Sequence, residues 1–314
     1  MKLNILITAF PFVNEYKKLK KLFENHNFNI KIVKTNQSLK EKDLLRLVKN
    51  IHGVLCGDDE FTEKVLKKAN KLRVLSKWGT GIDSIDLKTC KKLNIKVYNT
   101  PGAFTESVAT QALALILNFN RKILENHNNI KKGIWNKLEG STLKDQNIGI
   151  IGLGNIGVRI AELLLPFQCK VYGNDLKKID IKKLKKTNLK IKSKNFIFQK
   201  SKIIVIATDL NQTTKHLINF KTSKLIKNNP LLVNIARGPI ISEKALISLL
   251  KKNIISGACL DVFEKEPLKK NSKLMKFNNI IFTSHNAFNT TEEVNKVHFN
   301  TYKNLILGLR NEKI

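Results

Sequence analysis

A strand, a glycine-rich turn and a helix follow one another in the middle of this chain and constrain its fold most strongly. Residues 148–151 are apolar or small, as in a buried parallel strand, and the apolar residues from 156 to 165 recur with helical spacing. The turn between them carries Gly152, Gly154 and Gly157 in the spacing G-x-G-x-x-G. The first glycine permits a tight turn, the second lets a pyrophosphate approach the backbone, and the third lets the helix pack on the strand.

A carboxylate supports a dinucleotide site at this turn. A second apolar strand, at 170–174, ends in Asp175, about twenty residues past the glycines, where the ribose diol of a dinucleotide would lie. The first turn of the helix offers backbone N–H groups and a partial positive charge to the phosphates. A glycine-rich turn beside an unrelated surface aspartate is the weaker interpretation, because strand, turn, helix and carboxylate are all in register.

Strands and helices alternate along most of the 314 residues, which is typical of parallel sheets covered on both faces. We predict an α/β fold with two doubly wound parallel-sheet domains, the second a Rossmann dinucleotide-binding domain. Residues 99–102 break the first series, and the final helix is expected to return to the first domain. The predicted domains are therefore a discontinuous first domain, 1–100 plus 289–314, and a dinucleotide-binding domain, 101–288.

One long helix is predicted from Thr105 to about Asn126, and it is apolar nearly all round between Val108 and Leu117. Such a helix needs partners on several sides. It could be buried between the two domains of one chain. We favour the other interpretation, that it forms a subunit interface in a homodimer.

The formal net charge of +32, from 57 Lys and Arg against 25 Asp and Glu, could indicate nucleic acid or an anionic membrane surface as a partner. The lysines are spread over nearly every predicted helix, however, and arginine, which reads phosphates and guanines bidentately, is scarce. We therefore interpret the charge as solvated helix faces and expect no nucleic-acid or membrane partner. No apolar run approaches the length of a membrane span.

The cysteines indicate a reducing compartment. Cys56, Cys90, Cys169 and Cys259 lie far apart, each in an apolar context. Buried free thiols are expected from this pattern, and the cytoplasm is the predicted location. No metal site is predicted.

Three further stretches come at the carboxyl ends of predicted strands in the second domain, and they carry Arg237, Asp261 with Glu266, and His285. Because these strand ends meet at one rim of the sheet, the side chains are expected near the nucleotide. Arginine binds a carboxylate bidentately, and histidine exchanges a proton near neutral pH. A neighbouring carboxylate fixes the tautomer of the histidine and stabilises imidazolium. The rim therefore predicts acid–base chemistry on an anionic substrate.

These motifs together resemble the D-isomer-specific 2-hydroxyacid dehydrogenases over essentially the whole chain. The matching stretches are residues 78–83, 99–101, 149–157, 234–238, 261–267 and 284–285. Within the family the chain is most similar to the phosphoglycerate dehydrogenase branch, because Lys77 stands where those enzymes often have arginine. Because the sequence ends at Ile314, the C-terminal regulatory domain of the longer members is expected to be absent. Phe104 and Thr110 depart from the usual asparagine and acidic residue near the substrate.

The resemblance implies a role for each matching residue. Arg237 would orient the substrate, His285 would be the acid/base and Glu266 its partner. The substrate would be held by Lys77, Gly79, Thr80 and Gly81. The NAD site would be lined by Thr100, Gly152, Gly154, Asn155, Ile156, Gly157, Asp175, Thr208, Ile235, Ala236 and Asp261. The helix from Thr105 would be the dimerisation helix of the family.

The predicted activity is NAD-dependent hydride transfer at C2 of a D-2-hydroxy acid, with oxidation of 3-phosphoglycerate to 3-phosphohydroxypyruvate preferred. Reduction of glyoxylate or hydroxypyruvate is the alternative. A different class remains open, an NAD-sensing protein like the corepressors of this family, although Arg237, Glu266 and His285 are all present.

Overall fold

Parallel ladders join all the strands of two sheets, one of five strands and one of seven. The computed structural model describes residues 2–35 and 38–310. The chain divides into a first unit, Met1–Phe104 with Thr290–Ile314, and a second unit, Thr105–Asn289. Two parallel, helix-covered sheets confirm the predicted doubly wound α/β class.

The first unit alternates strand and helix around a sheet of order β2-β1-β3-β4-β5. Its strands are β1 (Leu3–Ile7), β2 (Phe28–Ile32), β3 (Gly53–Cys56), β4 (Val74–Lys77) and β5 (Lys96–Tyr98). Its helices are α1 (Phe10–Asn14), α2 (Tyr16–Leu19), α3 (Glu41–Leu47), α4 (Glu63–Lys68), α5 (Leu87–Lys92) and α12 (Thr291–Leu309). The sequence did not predict α1 or α5. The last helix packs against β3, β4 and β5.

A buried histidine on α12 holds a tryptophan of the first unit. The indole Nε1 of Trp78 donates to Nδ1 of His298 at 3.0 Å, and the imidazole is 1% exposed. This bond places the ring proton of neutral His298 on Nε2, so a second proton would have to displace Trp78. Burial lowers the pKa of His298 to about 4, although Glu15 acts in the opposite direction.

The depressed pKa predicts a loss of stability in acid. Between about pH 6.5 and 4 the unfolded chain binds a proton at His298 that the folded chain does not, so stability falls as the pH falls. The full shift corresponds to about 3 kcal/mol. Urea unfolding at pH 6.5 and pH 4.5 should show this loss, and His298→Gln, which cannot titrate, should reduce it. An equal loss in the variant would contradict the assignment.

The second unit is built around a sheet of order β12-β11-β10-β9-β6-β7-β8. Its strands are β6 (Asn147–Ile151), β7 (Lys170–Asn174), β8 (Lys190–Ile191), β9 (Ile203–Ile206), β10 (Leu231–Asn234), β11 (Gly257–Leu260) and β12 (Ile280–Phe282). Its helices are α6 (Thr105–Arg121), α7 (Ile123–Lys131), α8 (Asn155–Leu164), α9 (Lys194–Lys200), α10 (Phe220–Ser223) and α11 (Glu243–Lys251). Strand β6 lies beside β7 and β9, so the strand order reverses there, at the point where such sheets bind ligands.

The predicted single helix from Thr105 to about Asn126 is wrong, because it ends at Arg121 and a second helix begins at Ile123. Lys122 has a left-handed backbone, with φ of 52°. The carbonyl of Asn120 accepts from the N–H of Ser141, a contact between distant residues. The side chain of Asn118 accepts from the first turn of the second helix. The helical ladder is therefore interrupted by tertiary contacts.

Much of the apolar surface of α6 is covered within its own unit. Val108, Ala112, Leu115 and Ile116 are buried, and α6 packs against α8, β10 and β11. Across residues 2–35 and 38–310, no helix combines the length and the hydropathy needed to cross a bilayer.

Candidate active site

The glycine turn forms an open cradle at the carboxyl end of β6. Gly152 has φ of +98°, which a glycine adopts without strain. A Cβ on Gly157 would lie 1.9 Å from the carbonyl oxygen of Gly152, so α8 packs directly on the turn. A Cβ on Gly154 would meet nothing within 4 Å. Gly154 is also the N-cap of α8 and has no side-chain cap, so the first turn of the helix presents N–H groups to a phosphate.

Asp175 holds this cradle from the end of the neighbouring strand. One carboxylate oxygen accepts from the N–H of Leu153 at 2.7 Å, and the other accepts from the N–H of Lys177 at 2.8 Å. The carboxylate therefore lies against the glycine turn, as a ribose-binding residue must. Each oxygen keeps a further lone pair that could accept from a hydroxyl. The turn, the uncapped helix and this carboxylate fit a dinucleotide.

The other predicted cofactor residues are distributed over both units. The second unit carries Asn155, Ile156, Thr208, Ile235, Ala236 and Asp261, and the first unit carries Thr100. The N–H of Thr208 would be 2.6 Å from a Cβ on Gly152, so this threonine adjoins the glycine turn. Ile235 and Ala236 follow β10 directly.

The side chains of His285 and Glu266, which the family resemblance makes partners, are in contact in the second unit. Nδ1 of His285 lies 2.9 Å from Oε2 of Glu266, and both side chains are about one-fifth exposed, at 21% and 20%. Oε1 of Glu266 accepts from the N–H of Phe263, which fixes the carboxylate. Because Nδ1 faces Glu266, Nε2 is the nitrogen able to exchange a proton with a substrate.

Asp261 organises the loop that carries the histidine. Its buried carboxylate accepts from the Thr283 hydroxyl at 2.6 Å and from the N–H groups of Asn286 and Ala287. The carbonyl of Asp261 accepts from the N–H of His285, which has a left-handed φ of 53°. The end of β11 thereby sets the position of the histidine after β12, a role that sequence reasoning did not assign to this carboxylate.

Arg237 lies on a second fixed loop, after β10. The buried side chain of Asn234 accepts from the N–H of Ala236 and donates to the carbonyl of Arg237. A Cβ on Gly238 would lie 1.9 Å from the carbonyl of Phe263, so the two loops touch backbone to backbone. The loops of Arg237 and Glu266 are therefore packed together.

The glycine loop predicted to bind substrate lies in the first unit, after β4. Gly79 has φ of +112°, and a Cβ there would lie 3.5 Å from Nζ of Lys77 and 3.6 Å from the ring of Phe104. Thr80 donates to the carbonyl of Thr100, and the side chain of Asn99 donates to Thr80. An ammonium group and a phenyl ring thus flank the loop.

Sequence reasoning missed the partner of Lys77. Its ammonium lies 3.1 Å from a carboxylate oxygen of Asp58 and donates to the carbonyl of Trp78, and its side chain is 4% exposed. The only signal in the sequence is an acidic residue shortly after β3, the strand beside β4.

Comparison with known proteins identifies the family. Residues 113–287 match the sequence model of the D-isomer specific 2-hydroxyacid dehydrogenase, NAD binding domain. A glyoxylate reductase of Thermofilum pendens is 35% identical, over 86% of this chain and 82% of the relative. A D-3-phosphoglycerate dehydrogenase of Methanocaldococcus jannaschii is 32% identical, over 83% of this chain and 50% of the relative.

A solved structure gives the same result. The D-lactate dehydrogenase of Aquifex aeolicus, complexed with NAD and lactic acid, superposes with a TM-score of 0.85 at 26% identity, over 96% of this chain and 93% of that one. The cradle at Gly152–Gly157 and Asp175 fits the cofactor of this family. The chain belongs to the D-isomer specific 2-hydroxyacid dehydrogenases and is an NAD-dependent oxidoreductase.

Proposed function

We propose that this dehydrogenase reduces a small, unphosphorylated 2-oxo acid, such as glyoxylate or hydroxypyruvate. The observation that carries the proposal is the charge beside the Gly79 loop. The ammonium of Lys77 is already paired with Asp58, and the other flank is the ring of Phe104. This setting suits one substrate carboxylate on backbone N–H groups better than an added phosphate dianion. The glyoxylate reductase named above supports the same substrate class.

In this proposal the residues of the chain bind the acid and move its proton. Within the second unit, Arg237 orients the oxo acid through its bidentate fork. Nε2 of His285 gives a proton to the carbonyl oxygen as C2 becomes tetrahedral, and Glu266 stabilises the imidazolium form beforehand. Bound NADH supplies the hydride.

Oxidation of 3-phosphoglycerate, predicted from the sequence, stays a prediction. The 32% identity to a D-3-phosphoglycerate dehydrogenase favours it, although the chain spans half of that relative. Rates with glyoxylate, hydroxypyruvate and phosphohydroxypyruvate at equal NADH would separate the two. We expect higher kcat/KM for the unphosphorylated acids. Asp58→Asn frees the ammonium of Lys77 and should shift the preference toward the phosphorylated acid. A native preference for phosphohydroxypyruvate would refute the proposal.

Asp175 should set the choice between NADH and NADPH. A carboxylate that accepts from the ribose diol repels a 2′-phosphate, so we expect higher kcat/KM with NADH. Asp175→Asn removes the charge and keeps one acceptor oxygen, which can serve either Leu153 or Lys177. The preference for NADH should therefore narrow by about tenfold, or about 1.4 kcal/mol. Stopped-flow titration with both cofactors measures this. Equal use of NADPH by the unmodified protein would show the assignment wrong.

The homodimer also stays a proposal. Because much of the apolar surface of α6 is covered, we place the dimer interface on the exposed apolar side chains that follow α6. The exposed apolar side chains on and after α7 are Ile123, Leu124, Ile130, Ile134 and Trp135, the last 85% exposed. We propose that a second copy covers them. Ile130→Lys with Trp135→Asp should give a monomer by light scattering, whereas Ile181→Lys, at an unrelated site that is 80% exposed, should not. A dimer that survives the double substitution would exclude this face.

The cytoplasmic location likewise stays a prediction. All four cysteines are free and buried, as expected of a chain kept in a reducing compartment. Fractionation of cells that produce the protein would test it.

A further inference from the structure

A second histidine–glutamate pair lies beside the first. Nε2 of His216 is 2.8 Å from Oε1 of Glu264, with side chains 40% and 30% exposed. Glu264 comes two residues before Glu266 in the same loop. Its other oxygen, Oε2, accepts from the N–H of Glu243, the first residue of α11. Ser242, the N-cap of that helix, makes no side-chain cap, so Glu264 fills this place.

The pair connects the two loops that hold the proposed chemistry. The N–H of His216 donates to the carbonyl of Pro239, two residues after Arg237. Gly238 packs against the backbone of Phe263 and Glu264. The N–H of Phe263, in turn, donates to Glu266. Glu264 therefore holds the loop of Glu266 against both the loop of Arg237 and the start of α11.

The backbone of His216 indicates that this placement is specified. It has a left-handed φ of 50°. This conformation costs a non-glycine residue free energy, and it persists only where the surrounding structure requires it. The side chain of Asn219 donates to the carbonyl of His216 and keeps the turn in place. The imidazole is thus presented to Glu264 by a fixed turn.

We propose that His216 and Glu264 are positioning residues that set the geometry of Glu266, and through it of His285, together with that of Arg237. The inference rests on the proposed function, because the roles of Arg237, Glu266 and His285 do. Neither member touches the reacting atoms in this scheme. Their effect should appear in the proton-transfer step and leave binding of NADH unchanged.

Three variants test the pair, with one control. Glu264→Ala removes both hydrogen bonds, whereas Glu264→Gln can keep both if His216 changes tautomer. His216→Asn tolerates the left-handed backbone but is too short to reach Glu264. Ser193→Ala is the control, because it removes the N-cap of α9 and should lower Tm without touching either loop.

We expect Glu264→Ala and His216→Asn to lower kcat by about tenfold, because small misplacements of catalytic groups have effects of this kind. Both variants should also change the dependence of kcat on pH. The KM for NADH should stay within about twofold, and Glu264→Gln should restore most of kcat. Ser193→Ala should lower Tm only. Exchange of the Nδ1 proton of His285 with water, followed by ¹⁵N-histidine NMR of the ligand-free protein, should be faster in both damaged variants. His285→Ala assigns that signal.

Each outcome decides the inference. If Glu264→Ala and His216→Asn lower Tm as Ser193→Ala does and leave kcat, the pH profile and the exchange rate unchanged, the pair is only structural and the proposal is overturned. If Glu264→Ala fails to fold, His216→Asn gives the same answer. If the unmodified protein turns over no 2-oxo acid, the proposed function fails, while the exchange rate of His285 still decides the positioning role.

Discussion

Replacing His285 by alanine is expected to lower kcat for reduction of the best 2-oxo acid by roughly 10²–10⁴-fold, the range typical of a lost general acid. The bond from Nδ1 to Glu266 holds the ring so that Nε2 can deliver the proton. Steady-state rates with saturating NADH measure the effect. The dissociation constant of NADH should be nearly unchanged, since the imidazole acts on the substrate oxygen. Near-normal turnover by the variant would refute the mechanism.

Glu266→Gln tests whether the negative charge of Glu266 supports the acid form of His285. The amide keeps a hydrogen bond to His285 but carries no charge, so imidazolium becomes less favourable. The limb of the pH profile that reports the acid form in reduction should therefore move to lower pH. A variant with lower kcat and an unmoved limb would indicate that Glu266 only orients the ring.

Most of the scaffold was predictable because local pattern and tertiary structure agree. The runs around Ile148, Ile203 and Leu231 are apolar throughout, and such runs suit strands covered on both faces of a parallel sheet. The nearness of a carboxylate to His285 followed as well, because the ends of adjacent parallel strands meet at one edge, whereas the choice of Glu266 came from the family resemblance.

The wrong helix prediction and the missed partner of Lys77 both involve residues that are distant in the chain. The helix break at Lys122 depends on Ser141 taking the carbonyl of Asn120, and no local pattern encodes that contact. The pairing of Lys77 with Asp58 depends on the packing of side chains between β3 and β4. This second contact is the basis of our proposal of an unphosphorylated substrate, because it pairs the ammonium of Lys77 with a carboxylate.

Adding a methyl group at either of two glycines in the turn should have different effects on stability and on NADH binding. Gly157→Ala would place Cβ 1.9 Å from the carbonyl oxygen of Gly152. Alanine gains about 1 kcal/mol in helix propensity over glycine, but overpacking against rigid backbone costs about 1–3 kcal/mol, and more at such a distance. The overpacking cost should exceed the gain in helix propensity, so the variant should be less stable. We expect a Tm lower by roughly 4–8 °C, measured by calorimetry, together with weaker NADH binding.

Gly154→Ala should weaken NADH binding without lowering Tm, and this combination would show that the cofactor binds at Gly154. Its φ of −69° and ψ of −169° suit alanine, and Cβ would meet no atom within 4 Å, so Tm should stay within about 1 °C of the unmodified protein. The added methyl group would occupy the space through which a pyrophosphate approaches the backbone, so NADH affinity should fall at least about tenfold. Fluorescence titration of NADH measures this. If Gly154→Ala bound NADH normally, the phosphates would have to lie elsewhere, whereas a large loss of Tm would show that the turn is closed at Gly154. Only loss of affinity at unchanged stability means that the open space at Gly154 is kept for the cofactor.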